Sequence, residues 1–455
     1  MSALLCLVSF ALCFWAGSRS LVKGLAALLA VGYVYGIVRA NLPETFSHFI
    51  YDAGVLGLYL SLWLHPIRLP NYSEVISLKS WTAVLVLWPV IIFFVPLQDP
   101  LIQLVGLRGA IFLLPFLLIG AGLKDEDIYK LALWLAVFNL IACAFAGAEF
   151  FMGMERFFPK NEVTRIIYQS NDVTNSRAYR IPAIFANAHA YAGTMVATMP
   201  LLFGAVFQKQ RKLLYPILLA LGLTAALLGV FISATRTNFI AAAILIIVGT
   251  FSIRSKYASL LGWLLILSVI GWLVSGEGRL QRFTTLLDTD LVRDRLSISI
   301  NMNLWEVITK YPFGNGLGGG GTSIPYFLRD RLINPITIEN NYAAIAIEQG
   351  FIGLVLWILF ILWFFTRKVS IKQDPWRIGR NLIWYSSATS FALGLIGIGL
   401  FTAVPQTSLL LLSMGWMIAR PSVAVRSHIM EHEGRTFKLR PAESDLVASS
   451  KSTVV

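Results

Sequence analysis

Charge is what this sequence has least of. Asp, Glu, Lys and Arg together make up 13% of its 455 residues, about half the share of an ordinary soluble domain (about 25%). That deficit excludes a string of water-soluble domains and a disordered scaffold. Cysteine is scarce too. Cys6, Cys13 and Cys143 all lie in apolar stretches and none is spaced C-x-x-C, which excludes a disulfide framework and leaves three small buried hydrophobes. Metal-ligating motifs are nearly absent. The stretch from His428 to His432 is formally H-x-x-E-H, but it lacks a rigid helix and a third ligand, so no metal or cofactor is expected. The run from Gly314 to Gly321 contains G-x-G-x-x-G without a preceding strand, and no Lys-Ser/Thr follows it, which excludes Rossmann and P-loop nucleotide sites. Two readings of that run stay open: a loop whose backbone approaches a ligand, or a flexible turn.

What the sequence has in abundance is apolar length. Hydrophobic residues make up 57% of the chain and the mean hydropathy is +0.71. Runs of about 20 residues, each long enough to cross a bilayer as a helix, occur near 3–17, 21–39, 48–64, 81–96, 103–123, 128–150, 187–207, 213–232, 237–253, 258–276, 341–365, 381–401 and 402–419. The pattern predicts an all-α polytopic transmembrane bundle of about 12–13 spans over residues 1–419, with a flexible cytoplasmic tail over 420–455. The first run competes with a secretory signal, but its cations, Arg19 and Lys23, follow the apolar stretch, which favours an uncleaved helix with its N-terminus outside.

The cation surplus follows the same layout. There are 37 Lys+Arg against 24 Asp+Glu, a net charge of +13, a balance that in a soluble protein would suggest nucleic acid. With the basic links 209–212, 254–256 and 367–380 placed in the cytoplasm, the inner segments hold 22 Lys+Arg and 9 Asp+Glu, and the remainder holds 15 of each. The surplus is therefore a topology signal and no nucleic-acid partner is expected. This topology places two large loops outside, 151–186 and 277–340. Within the second, Leu304, Ile308 and Tyr311 fall at helical spacing before Pro312, predicting an amphipathic helix over 296–311.

Charged residues near or within the spans are the functional candidates, because a guanidinium in lipid costs about 2.5 kcal/mol or more and so faces a polar cavity or a partner. Arg108 interrupts an apolar span. Arg236 opens another, Arg180 precedes the span that begins Asn187-Ala188-His189, and Arg177, Arg293 and Arg295 lie in the outer loops. Such cations suit a diphosphate, whose oxygens guanidinium binds bidentately, or else each pairs with an acid. Glu339, next to Asn340 at a water–membrane boundary, is a candidate general base or a helix-start carboxylate.

In order along the chain, these pieces resemble the O-antigen ligase and O-antigen/exopolysaccharide polymerase family of bacterial envelope glycosyltransferases. The likeness is carried by Arg180-Ile181-Pro182 through Asn187-Ala188-His189, by Ser233 to Thr237, by Arg295…Trp305…Pro312-Phe313-Gly314-Asn315-Gly316, and by Glu339-Asn340-Asn341-Tyr342…Glu348-Gln349-Gly350-Phe351-Ile352-Gly353. The resemblance implies a metal-independent enzyme of GT-C type in the bacterial inner membrane, with its active site facing the periplasm. Its donor would be an undecaprenyl-diphosphate-linked glycan and its acceptor a saccharide or lipid-glycan, with membrane lipid and a chain-length regulator as further partners. Arg180 and Arg236 would hold the diphosphate, with Arg108 a further candidate cation; Arg295 would orient or stabilise from the loop, and Asn340 would orient base or substrate. The family's catalytic His position is occupied by Glu339, so the base is Glu339 or, from another span, His189. A polysaccharide or lipid transporter is the alternative class.

Overall fold

The computed structural model describes residues 1–169, 179–208, 212–252, 283, 289–321, 324–336, 338, 340–367, 374–397 and 400–419. The expected span 258–276, Arg177, Glu339 and the tail with its H-x-x-E-H lie outside the described residues, as does the side chain of Arg295.

The chain is an all-α polytopic membrane bundle, and helices occupy twelve of the thirteen expected runs. They are α1 (Ser2–Arg19), α2 (Leu21–Asn41), α3 (Ile50–Leu64), α4 (Ser73–Phe93), α5 (Pro100–Ile111) continued by α6 (Phe116–Ala121), α7 (Asp125–Met152), the short α8 (Arg165–Gln169), α9 (Ala188–Val206), α10 (Leu214–Ile232) and α11 (Arg236–Ser252). The segment α12 (Thr289–Ser297), a π-helical stretch (Ile298–Trp305) and α13 (Glu306–Lys310) follow, then α14 (Asn341–Phe365), α15 (Arg377–Leu393) and α16 (Gln406–Ile418). Among the described residues, seven helices are long and apolar enough to cross a membrane, counting α5 and α6 as one. The amphipathic helix expected over 296–311 begins earlier, at Thr289, and ends before Pro312, with Leu304 and Ile308 packed on the core.

Polar residues at the run boundaries set where helices begin. Asp99, Asn187 and Asn340 each accept a first-turn amide through the side chain, and Pro100 fills the first helical position of α5. Between helices, small residues replace the hydrophobic drive that lipid cannot supply. A Cβ on Gly120 would fall on the Leu412 carbonyl oxygen and one on Gly415 on that of Leu117, so α6 and α16 meet backbone to backbone.

The bundle has two unlike ends. At one, called here the tail end, Arg380 is 3% exposed and binds Asp125 at 2.5 Å, Asp374 at 3.3 Å and the Trp416 carbonyl at 2.8 Å. Its guanidinium also stacks 3.8 Å from the Trp416 ring. Arg380, counted by sequence among loop cations, is a buried tie joining α7, α15 and α16. The opposite end carries the segments before α9 and α14 and is called the loop end.

At the loop end the glycine-rich run is packed into the bundle and is not a free turn. Leu317 is fully buried and the run packs against α5, where a Cβ on Gly106 would strike Gly318. It also repairs a break in α14. Gly350 takes φ +70, a conformation that favours glycine, about 13 Å along the helix at 1.5 Å per residue. Asn315 N donates to the Ile347 carbonyl at 2.6 Å, and Phe351 N donates to the Pro312 carbonyl at 2.9 Å. Irregular backbone at membrane depth is tolerated when protein supplies the missing bonds in this way. Gln98 clamps the loop from outside, donating to the Asn315 and Ile333 carbonyls at 2.8 Å and accepting from Ile333 N at 2.9 Å.

Candidate functional site

Four helices begin around one cavity at the loop end. First-turn residues His189 of α9, Thr237 and Asn238 of α11, Asn341 of α14 and Gln406 of α16 line it, with Ser386 and Ser390 from α15. Its volume is about 50 Å³, counted as space for the centres of waters, enough for roughly four of them. Each helix N-terminus contributes a partial positive charge of about half a unit, so four such ends make the mouth attractive to an anion without any side chain.

Two of the expected cations lie near this mouth, though neither lines the cavity. Arg236 is the first residue of α11, one position before the lining residue Thr237. Arg180 lies within electrostatic reach of the His189 ring. The two elements are tied together, since Asn238 Nδ2 donates to the His189 carbonyl at 3.3 Å. Both approaches hold a non-glycine residue in left-handed backbone, Ala183 (φ 50) before α9 and Ala234 (φ 52) before α11, at a cost of about 1–2 kcal/mol each. Such residues persist only where their surroundings over-determine them. For Ala183 the surroundings are plain: its amide donates to Glu149 Oε2 at 2.9 Å, the Ile184 carbonyl accepts from Ile37 N of α2 at 3.0 Å, and a Cβ on Gly36 would collide with Phe185. The segment 180–187 is thus wedged between α2 and α7, which fixes where Arg180 stands.

The other expected residues are placed differently. Arg108 is not at this mouth's lining; it pairs with Asp52 of α3 at 2.5 Å, the acid-paired alternative. Around that pair stand Arg39, whose Nη1 donates to Tyr35 Oη at 3.3 Å, and His48, whose ring packs against Tyr326 and Phe327. Asn340 is a fully committed cap. Its Oδ1 accepts from Tyr342 N and Ala343 N, and its Nδ2 donates to the Leu395 carbonyl at 2.8 Å, so its amide organises the start of α14 rather than facing a substrate. Glu339, immediately before it, is outside the described residues, and of Arg295 the structure describes only its place in α12.

Sequence reasoning passed over Asn341, Asn238, Gln406 and Glu149. Asn341 borders this cavity and also a second one of about 60 Å³ that contains Glu348 and Thr407. One of the missed residues carries a legible signal: Glu149, like Asp52, is an acid inside an apolar run, expensive in lipid unless engaged. The uncharged amides carry none. The sequence matches no protein-family model and no curated protein.

Proposed function

We propose that this chain is a membrane glycosyltransferase of the polysaccharide polymerase or ligase type, joining glycan from an undecaprenyl-diphosphate-linked donor to a sugar acceptor. The gathering of His189 and four helix N-termini around one cavity, with Arg236 one residue before its lining and Arg180 near His189, supports it. A lipid diphosphate carries two negative charges while bound to sugar and gains another as the bond to the anomeric carbon breaks, and fixed guanidinium groups with aligned helix ends stabilise that growing charge. The acceptor hydroxyl oxygen forms a bond to the anomeric carbon as the bond from that carbon to the phosphate oxygen breaks. The hydroxyl proton passes to Glu339 or to His189, the two candidate bases. The excess of basic residues in the flanks favours a tail end on the cytoplasmic side of a bacterial inner membrane and a mouth toward the periplasm. A carrier needs access from both faces; the buried Arg380, tying α7, α15 and α16 together at the tail end, favours one-sided chemistry.

Chain growth from a purified lipid-linked repeat unit tests this. Arg236→Ala and Glu339→Gln should each lower the rate by at least about 100-fold with the protein still monodisperse. Full activity in Glu339→Gln moves the base to His189. Absence of any chain growth or transfer by the unaltered protein, with donors of varied repeat and with lipid-glycan acceptors, removes the transferase reading.

A further inference from the structure

Arg39, in the last turn of α2, meets no acid among the described residues. Its hydrogen-bond partner is Tyr35, whose hydroxyl accepts from Nη1 at 3.3 Å and whose ring centre lies 5.4 Å from the guanidinium carbon. Arg39 and Arg108 both lie within electrostatic reach of the His48 ring, and Arg108 is within reach of Tyr35 as well. Asp52 neutralises Arg108, which leaves the charge of Arg39 unmatched. The orientation of the two guanidinium groups matters as much as their number. Each has its Nε sealed inside the protein, and Arg108 uses Nη2 on Asp52. Arg39 Nη2 and Arg108 Nη1 are not sealed and donate no hydrogen bond within the chain. Two open N–H edges beside one unmatched charge suit a singly charged oxyanion, held by charge-assisted hydrogen bonds.

Asp52 also begins an apolar stripe. Asp52, Leu56, Leu60 and Trp63 follow one another at helical spacing on a single face of α3. Beyond Asp52 that face is exposed, Trp63 to 76%. From Asp52 to Trp63 is about 16 Å at 1.5 Å per residue, close to half of a hydrocarbon core about 30 Å thick. The stripe thus starts at the guanidinium pair and runs the depth of one leaflet. Tyr326 and Phe327 pack on the His48 ring, and Tyr326 Oη donates to the Pro43 carbonyl at 3.3 Å, so aromatic rings shield that side of the group from water. A free phosphate ion would meet the charge and leave the stripe bare. Arg39, His48, Asp52 and Arg108 line neither cavity, so this group is separate from the mouth near which Arg180 and Arg236 stand.

We infer that Arg39 and Arg108 form a site for the phosphodiester head of an anionic membrane phospholipid, with an acyl chain laid along Leu56, Leu60 and Trp63. The single negative charge of that head matches the single unmatched guanidinium. A zwitterionic head brings its own cation beside the arginines and binds more weakly. The site stands whether or not the chain transfers glycan.

The test uses the full-length protein in phosphatidylcholine nanodiscs. Trace phosphatidylglycerol or phosphatidylcholine, each carrying one photoreactive group in an acyl chain, is cross-linked and the labelled peptides are mapped by mass spectrometry. Phosphatidylglycerol should label residues 50–64 about ten-fold more than phosphatidylcholine, the scale of one charge-assisted hydrogen bond. Arg39→Gln should cut that labelling at least about five-fold and leave labelling around the basic link 367–380 unchanged. Should Arg39→Gln fail to fold, Asp52→Asn combined with Arg108→Gln removes the other open edge without stranding the acid, and should lower the labelling likewise. Excess unlabelled phosphatidylglycerol should displace the probe, and excess soluble glycerol phosphate should not. Equal labelling by the two probes, or labelling that persists in the folded variant, overturns the site. Displacement by glycerol phosphate makes it a site for free phosphate, and displacement by polyprenyl diphosphate but not by phosphatidylglycerol gives it to the glycan carrier; either outcome overturns the phospholipid.

Discussion

Arg108 of α5 and Asp52 of α3 meet at 2.5 Å, with the carboxylate 9% exposed and the guanidinium 36%. The cation that stood out most sharply in an apolar span is thus matched by an acid in a neighbouring one, and the pair lies between a surface bridge and a fully buried one in character. Removing one partner leaves the other charge poorly solvated. Asp52→Asn should cost about 1–3 kcal/mol, below the full penalty of a wholly buried pair, read as a drop in the thermal midpoint in detergent. Adding Arg108→Gln should lose less than the sum of the two single changes; strict additivity would show that the residues are not coupled.

The wedge that positions Arg180 depends on a glycine. Gly36→Ala puts a methyl group where the Phe185 backbone lies, so α2 and the 180–187 segment must part. Stability should fall by about 1–3 kcal/mol, and chain growth should slow even below the melting range because Arg180 moves with its segment. Gly147→Ala is the matched control. Nothing lies within 4 Å of that position in α7, and the change should be neutral or add up to about 1 kcal/mol.

Acid should loosen the start of α1 before the bundle. Ser2 donates to Glu44 Oε2 from its hydroxyl at 2.5 Å and from its amide at 3.0 Å, and these bonds hold the Glu44 carboxyl below its ordinary value of 4.5. The folded state therefore binds fewer protons than the unfolded chain as acid is added. The tie is complete above about pH 4.5 and is lost as pH falls through the lowered value. Hydrogen exchange at the Ser2 amide should stay protected from neutral pH to about 4.5 and rise only below it, and Glu44→Gln should remove that pH dependence. Exchange that rises between pH 7 and 5 would contradict the assignment.

The spans were legible because their signal is local. Each run carries its own hydropathy, and Asp99, Asn187 and Asn340 announce helix starts by residue type alone. The candidate site was legible in part, and for a different reason: Arg180, Arg236 and His189 stand out because charge near lipid is expensive wherever it occurs. The same reasoning left Arg108 open and passed over Arg380, since cost tells that a charge has a partner without telling whether that partner is a substrate, Asp52 or Asp125. Gln406 and Asn341 were illegible because an amide at a helix start looks like any cap until the space beside it is known. The glycine-rich run was ambiguous for the same cause. Of its four left-handed glycines, Gly314, Gly316, Gly318 and Gly321, the first lies against the distant break at Gly350, a link that the bond between Asn315 and Ile347 makes visible.

By itself, then, the sequence determined that this protein is a helical membrane bundle, where nearly every span lies and which residues are too costly to be idle, all of which follow from transfer free energies summed along the chain. Tertiary structure alone decided which costly residues satisfy each other and which stand near a cavity. That sorting depends on contacts between residues as far apart as Arg380 and Asp125, or Arg108 and Asp52, whose energies come from proximity and leave no trace in local composition.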